Sequence, residues 1–270
     1  MPPVTVDLEE VRAGFSNMAP DYDAMAETNQ VVIWVRRLVR GVVEQQLRPA
    51  DSILEINCGS GLDAAYFAEK GYRVHATDIA PGMLKAVADK AARPELEGRL
   101  TFENLSNTQL GRVSGEPYDL ILSNLGGWNC TGDPADVASG LSQVIRPGGR
   151  AVLVVMPPVC PWEAAQLLRG HVKTALRRFR SNGVDANVGG HVVHTWYHTP
   201  GSLIRSLGSG FEVVKLRSIC LFAPPPYFEG FILRHPRLVE RLQRLDERLG
   251  GVWPLNRFGD FYVLVVRKKS

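Results

Sequence analysis

The chain has 270 residues, 45% of them hydrophobic and 22% charged, which excludes wholesale disorder and fits one large α/β unit better than two domains of ~150 residues. Lysine and arginine number 31 against 28 acids, so the net charge of +3 is too balanced for a nucleic-acid coat, and no nucleic-acid partner is expected. Cys58, Cys130, Cys160 and Cys220 form no C-x-x-C pair, the first residues lack a signal peptide's apolar run, and the longest apolar stretch (151–159) is far below the ~20 residues of a bilayer span. A soluble, cytoplasmic protein is therefore expected.

In chain order, apolar positions at Val31, Val35, Leu38, Val42 and Val43 predict an amphipathic helix over 28–47, ended by Pro49. A buried strand follows at 52–57, then a glycine turn (58–61), a helix stopped by Gly71, and a strand over 72–77 ending in Asp78. Pro81-Gly82 opens a helix to about Ala92, and strands are read at 100–104 and 118–124. A helix over 136–145 and the turn 146–149 lead to the apolar strand 151–156. Apolar strands alternating with helices predict a parallel sheet covered on both faces.

The rhythm then breaks at Pro157, Pro158 and Pro161. A helix is expected with Ala165, Leu168, Val172, Leu176 and Phe179 on one face, and the stretch 169–180 carries six basic side chains and no acid. A Gly/Asn loop leads to an extended histidine-rich segment (191–198) and a short helix after Pro200. A strand at 211–219, a helix bearing Leu238, Leu242, Leu245 and Leu249, and a closing strand at 261–266 complete the chain. The expected organisation is an N-terminal cap (7–47), a core (48–156 and 201–270) and an inserted lid (157–200).

The turn at Cys58-Gly59-Ser60-Gly61 carries the most chemical information. A strand that stops at glycines and opens a helix exposes backbone N–H groups and leaves no Cβ in a ligand's way. Asp78, seventeen residues after Gly61, stands where a carboxylate reaches a ribose. Gly59-x-Gly61-x-x-Ala64 with Asp78 also fits a nicotinamide dinucleotide turn. Against that reading, Glu55 places negative charge where a pyrophosphate would lie, and Asn57 stands where the dinucleotide fingerprint has its first glycine.

Glu55-x-Asn57-x-Gly59-x-Gly61 resembles the acid-x-Gly-x-Gly-x-Gly motif of the class I S-adenosylmethionine-dependent methyltransferases, departing from it at Asn57. The segment 118–124 looks like that family's fourth strand and 146–149 like the turn before its fifth. Phe15-x-x-x-Ala19-x-x-Tyr22-Asp23 resembles the N-terminal segment of its ubiquinone/menaquinone and biotin-pathway branch, whose tyrosine closes over the cofactor. The resemblance covers about 15–156 and 211–267 and implies a doubly wound, mostly parallel sheet of seven strands, the last antiparallel. It also implies S-adenosyl-L-methionine as cofactor, with Glu55 in the acidic place and Asp78 on the ribose. Tyr22, Asn57, Gly59, Gly61, Ile79, Met83, Leu105, Ser106 and Asn124 would line the cofactor site, Leu105-Ser106 falling where the family carries a Gly-Asp pair near the adenine.

The implied reaction is methyl transfer to oxygen, nitrogen or carbon of a small or lipid-like acceptor by in-line displacement, which needs alignment and exclusion of water rather than a metal. Trp128, Asn129 and Trp196 are candidates for the acceptor pocket, and His194, Tyr197 or His198 for a general base. No metal is expected, because His191, His194 and His198 divide between two faces of an extended segment. The basic stretch 169–180 offers at most peripheral membrane contact, and a monomer or homodimer is expected. Two alternatives stand beside this reading: a nicotinamide-dependent oxidoreductase, and a protein that holds a nucleoside without turnover.

Overall fold

The computed structural model describes residues 7–115 and 117–270. Five strands run parallel: β1 (Ser52–Ile56), β2 (Arg73–Asp78), β3 (Leu100–Asn104), β4 (Tyr118–Ser123) and β5 (Ile145–Val155). An excursion after β5 contains the separate hairpin β6 (Val184–Val188) and β7 (His191–Thr195). The chain then returns as β8 (Phe211–Ile219) and β9 (Phe261–Lys268). The main sheet has seven strands in the order β3-β2-β1-β4-β5-β9-β8, and β9 runs antiparallel to both neighbours, as expected of the closing strand.

Period-two alternation along the strands divides the core into two layers. Val152 and Val154 face one side with Phe67 and Val87, while Ala151, Leu153 and Val155 face the other with Leu141 and Leu203. Helices α2 (Gln30–Glu44), α3 (Leu62–Glu69) and α4 (Pro81–Ala91) cover the first face. Helices α5 (Pro134–Val144) and α8 (Pro200–Leu207) cover the second. The connections leave β1 in opposite directions toward β2 and β4, which opens a crevice at the carboxyl ends of those strands.

Three expectations are corrected. The N-terminal cap is two helices, not one: α1 (Leu8–Thr28) precedes α2, and Asn29 caps α2 by accepting from Val31 and Val32 N–H. The helix expected around Leu168–Phe179 is broken into short pieces, α6 (Pro161–Ala164) and α7 (Val172–Leu176), separated by Gly170 in the left-handed region. Its apolar stripe faces outward, Leu168 being 91% exposed. In the helix α10 (Pro236–Leu249), which follows α9 (Glu229–Arg234), Leu242 packs part-buried against the core, while Leu238, Leu245 and Leu249 are exposed and the fully buried positions are Val239 and Asp246. Asp246 accepts the N–H groups of Leu221, Phe222 and Ala223, fixing the chain as it leaves β8.

The excursion reaches the cap. Glu10 on α1 accepts from Val192 N–H at 3.1 Å and meets His191 Nδ1 at 3.2 Å, and Asn17 donates to Gly189 O at 3.1 Å. On its other side α1 docks on α4 through Asp23 and the buried Lys90, 2.5 Å apart. A buried cluster anchors the root of the excursion: Arg178 joins Glu163 at 2.7 Å and Asp260 at 2.5 Å, with Arg177 on the same Glu163. Among the described residues no helix is long and apolar enough to cross a membrane.

Candidate functional site

β1 ends in a run of left-handed backbone, with φ of +54° at Asn57, +56° at Gly59 and +78° at Gly61. Asparagine adopts that region more readily than other residues with a side chain, which is how the turn accommodates Asn57. Gly59 N–H donates to Asp78 Oδ2 at 2.8 Å and Ala80 N–H to Asp78 Oδ1 at 2.9 Å. One carboxylate at the end of β2 thus joins the two turns that flank the crevice. Burial raises the Asp78 pKa, opposed by these backbone hydrogen bonds.

A cavity of about 90 Å³ lies over this turn. Of the residues read from the sequence, Tyr22, Asn57, Gly59, Asp78, Ile79, Met83 and Asn124 line it. Ser106 lines a smaller adjoining hollow together with Asn57 and Ile79. Tyr22 roofs the glycine turn: a Cβ on Gly59 would stand 3.7 Å from its ring. Burial raises the Tyr22 pKa, so its phenol stays protonated at neutral pH.

Glu55, Gly61 and Leu105 stand behind the wall. Gly61 faces α4, where a Cβ would lie 3.0 Å from Val87, and Leu105 N–H donates to Asp78 O at 3.1 Å. Glu55 is buried, and its Oε2 has no hydrogen-bond partner. Burial, followed by the neighbouring Asp63, raises its pKa well above the carboxylate range against the pull of Arg36 and Arg40. Asp63 binds Arg36 at 2.5 Å, Arg40 at 2.7 Å and Asn124 Nδ2 at 2.7 Å, and so sets the orientation of Asn124.

A raised folded-state carboxyl costs stability as pH climbs from its unfolded value toward its folded one. Glu55→Gln is therefore expected to match the parent's unfolding free energy under acid conditions and to exceed it at neutral pH by more than the ~0.5 kcal/mol of a surface change. Denaturant titrations at the two pH values check this, and a variant weaker at neutral pH would refute it.

The acceptor-pocket candidates do not line the cavity. Trp128 is fully buried in the second core layer. Asn129 is a splint, donating to Met156 O at 3.0 Å and Trp196 O at 2.6 Å and accepting from Met156 N–H at 2.9 Å. Trp196 is buried beside Gly132 and edge-on to His194. The three candidate bases are not brought together either. His194 is held by Asp185 at 2.6 Å and Asn182 O at 2.5 Å, within the excursion. His198 sits 3.0 Å from Thr131 O, and burial lowers its pKa. Tyr197 lies under the Arg178 guanidinium, and burial raises its pKa.

Sequence reasoning missed Val11 and Phe15 on α1, and Leu125, Gly126, Gly127 and Cys130 after β4, all of which line the cavity. The signal for the latter was the Gly126-Gly127 pair: a Cβ on Gly127 would stand 2.5 Å from the Asn57 Cβ, so the loop passes where a side chain has no room. Cys160, Glu163 and Asp260 also converge, but guanidinium groups already occupy those two carboxylates.

An open α/β sheet with its crevice beside a glycine turn and a strand-end acid defines a nucleotide-binding class of fold. Residues 53–149 match the methyltransferase domain family. Over 161 residues, 56% of this chain and 61% of the relative, the sequence is 31% identical to a demethylmenaquinone methyltransferase of Symbiobacterium thermophilum. It is 32% identical to a malonyl-[acyl-carrier protein] O-methyltransferase of Serratia marcescens over 54% of this chain and 52% of that protein. The chain thus spans about half to three-fifths of the length of these curated relatives. The Burkholderia thailandensis 1,6-didemethyltoxoflavin-N1-methyltransferase, solved with S-adenosylhomocysteine, superposes with a TM-score of 0.61 at 18% identity, covering 100% of this chain and 93% of that one. Residues 53–149 therefore carry a methyltransferase domain, and the chain has the fold of solved S-adenosylmethionine-dependent methyltransferases, as the motif around Glu55 and Gly59 implies. The oxidoreductase alternative finds no support in these matches.

Proposed function

We propose that the chain binds S-adenosyl-L-methionine over the glycine turn and transfers its methyl group to a small or lipid-like acceptor. The observation that carries this reading is Asp78, whose carboxylate holds Gly59 N–H and faces a cavity at the switch between β1 and β4. The residues fit the cofactor chemically. Gly59 leaves its backbone bare, and Asp78 has lone pairs left for ribose hydroxyls beside the N–H groups it accepts. The cavity, at about 90 Å³, is smaller than the ~300–1,000 Å³ of pockets for drug-sized ligands. Tyr22 and α1 would have to move outward to admit the cofactor.

When bound, the cofactor supplies an electrophilic methyl group. Asp78, Asn57 and Asn124 would orient the nucleoside, while Tyr22, Phe15 and the excursion 157–200 would exclude water and cover the acceptor. The excursion suits that place because it clasps α1 through Glu10 and Asn17. With His194, Tyr197 and His198 outside the cavity lining, acceleration would rest on alignment rather than on one of them as base. A cytoplasmic site of action accords with four unpaired thiols.

Calorimetry with S-adenosylhomocysteine and with NADH tests the reading. A saturable signal with the thioether and none with NADH is expected; tight NADH binding with silence toward the thioether would overturn it.

A further inference from the structure

We propose that the excursion after β5 docks on an anionic lipid bilayer through the outward face of residues 167–180. In this stretch Leu167, Val172, Leu176 and Phe179 are each about half exposed, at 52%, 49%, 50% and 55%, and Leu168 stands 91% in solvent. Val172, Leu176 and Phe179 fall at i, i+4 and i+7, one side of α7 and its continuation, whereas Ala175 and Arg178 point inward. The inward pair explains why the outward set is held out rather than collapsed: Arg178 is pinned to Glu163 and Asp260, so the short helix cannot roll its apolar side under.

Charge identifies the occupant. Arg169, His171, Lys173 and Arg180 surround these apolar side chains, and no acidic residue occurs from 164 to 184. All four are exposed, and among the described residues none is in an ion pair. Here apolar side chains project from short turns beside Arg169, Lys173 and Arg180, none of them in an ion pair among the described residues. That arrangement suits a surface that is apolar beneath and negative above, the acyl and headgroup layers of a bilayer with acidic lipids. The excursion leaves β5 at its carboxyl end, the edge of the sheet that carries the glycine turn, so docking there would put the cavity on the side of the lipid phase. Docking does not depend on the methyl-transfer reading, and its test involves no turnover.

Co-sedimentation of the whole chain with phosphatidylcholine vesicles, with and without phosphatidylglycerol, tests the proposal. The parent is expected to pellet with the phosphatidylglycerol vesicles at least tenfold more than with the neutral ones, and raised salt should abolish most of the difference. Leu168→Asp combined with Phe179→Asp should lower the pelleted fraction by roughly tenfold while leaving circular dichroism unchanged, both sites being exposed. Lys173→Glu should weaken binding to phosphatidylglycerol vesicles alone. Phe102→Asp, an exposed apolar site on the far edge strand β3, should behave as the parent. Absence of pelleting, equal pelleting with both vesicles, or an unaffected double variant would overturn the proposal. So would a parent that elutes as a dimer while the double variant elutes as a monomer, since a second copy would then cover this face.

Discussion

Arg178→Met is expected to lower the unfolding free energy by about 3–5 kcal/mol at neutral pH, the range for removing one partner from a buried ion pair. The guanidinium donates to Glu163 through Nε and Nη2 and to Asp260 through Nη2, and it also reaches the backbone oxygen of Asp260 at 3.1 Å. Glu163 and Asp260 are 1% and 2% exposed, so methionine would leave two carboxyls facing each other out of water, with Arg177 serving only the first. Glu163 sets the pH dependence. Burial alone would raise its pKa, but the hydrogen bonds from Arg177 and Arg178 outweigh burial and bring it down to about 2. A depressed folded-state carboxyl contributes stability that is complete above its unfolded value of ~4.3 and is lost as pH falls through the folded one. The deficit of the methionine variant should therefore be largest near neutrality and shrink as pH falls toward about 2, the folded-state value of Glu163 in the parent. Asp260, whose pKa burial raises and Arg178 lowers, adds to the loss in the same direction. Denaturant midpoints of parent and variant across that range read it directly. A deficit constant with pH would mean that side-chain packing, not charge, holds the excursion to the core.

How far the sequence reveals this molecule depends on whether the determining forces are local. β3 and β8 lie at the positions read from the local sequence pattern, and the Asp78 strand end follows from β2 running out at a turn. The helix α1 escaped because Pro20 sits within it and its buried positions are few. It is held by contacts far along the chain, Lys90 on α4 and Gly189 and Val192 on the hairpin, which no local pattern announces. The stripe from Leu168 to Phe179 had helical period, yet period does not say which way a stripe points. Gly170 divides the helix, and the ion pairs of Arg178 decide the orientation. Asn57, Gly59, Asp78 and Asn124 were readable as cavity residues because topology places strand ends and their turns together, whereas Tyr22 on α1 was readable only through the resemblance of its N-terminal segment. The histidines were not readable in the same way. β7 stops at Thr195, and beyond it His198 turns to Thr131 O while Tyr197 turns to Arg178.

Asp78→Ala should weaken binding of S-adenosylhomocysteine by ten- to a hundredfold, about 1–3 kcal/mol, through loss of charge-assisted hydrogen bonds. The carboxylate has two tasks, and a single affinity measurement would confuse them. It accepts Gly59 and Ala80 N–H, so alanine also releases the glycine turn and should lower thermal stability. Asp78→Asn separates the two. Its carbonyl oxygen can keep one of these N–H groups, but its amide NH2 would confront the other, so one carboxylate contact with the turn is lost. A ribose hydroxyl can accept from that NH2 as readily as it donated to a carboxylate, so the asparagine variant should recover part of the affinity while remaining less stable than the parent. Calorimetry on all three proteins at a temperature where each is folded, with melting curves alongside, distinguishes the contributions. If alanine and asparagine lowered stability but left affinity at the parent value, Asp78 would be a brace for the turn and the nucleoside would have to sit elsewhere. Tyr22→Phe serves as the reference in the same experiment: it keeps the ring over Gly59 and removes only the hydroxyl, so cofactor affinity should stay within about threefold of the parent.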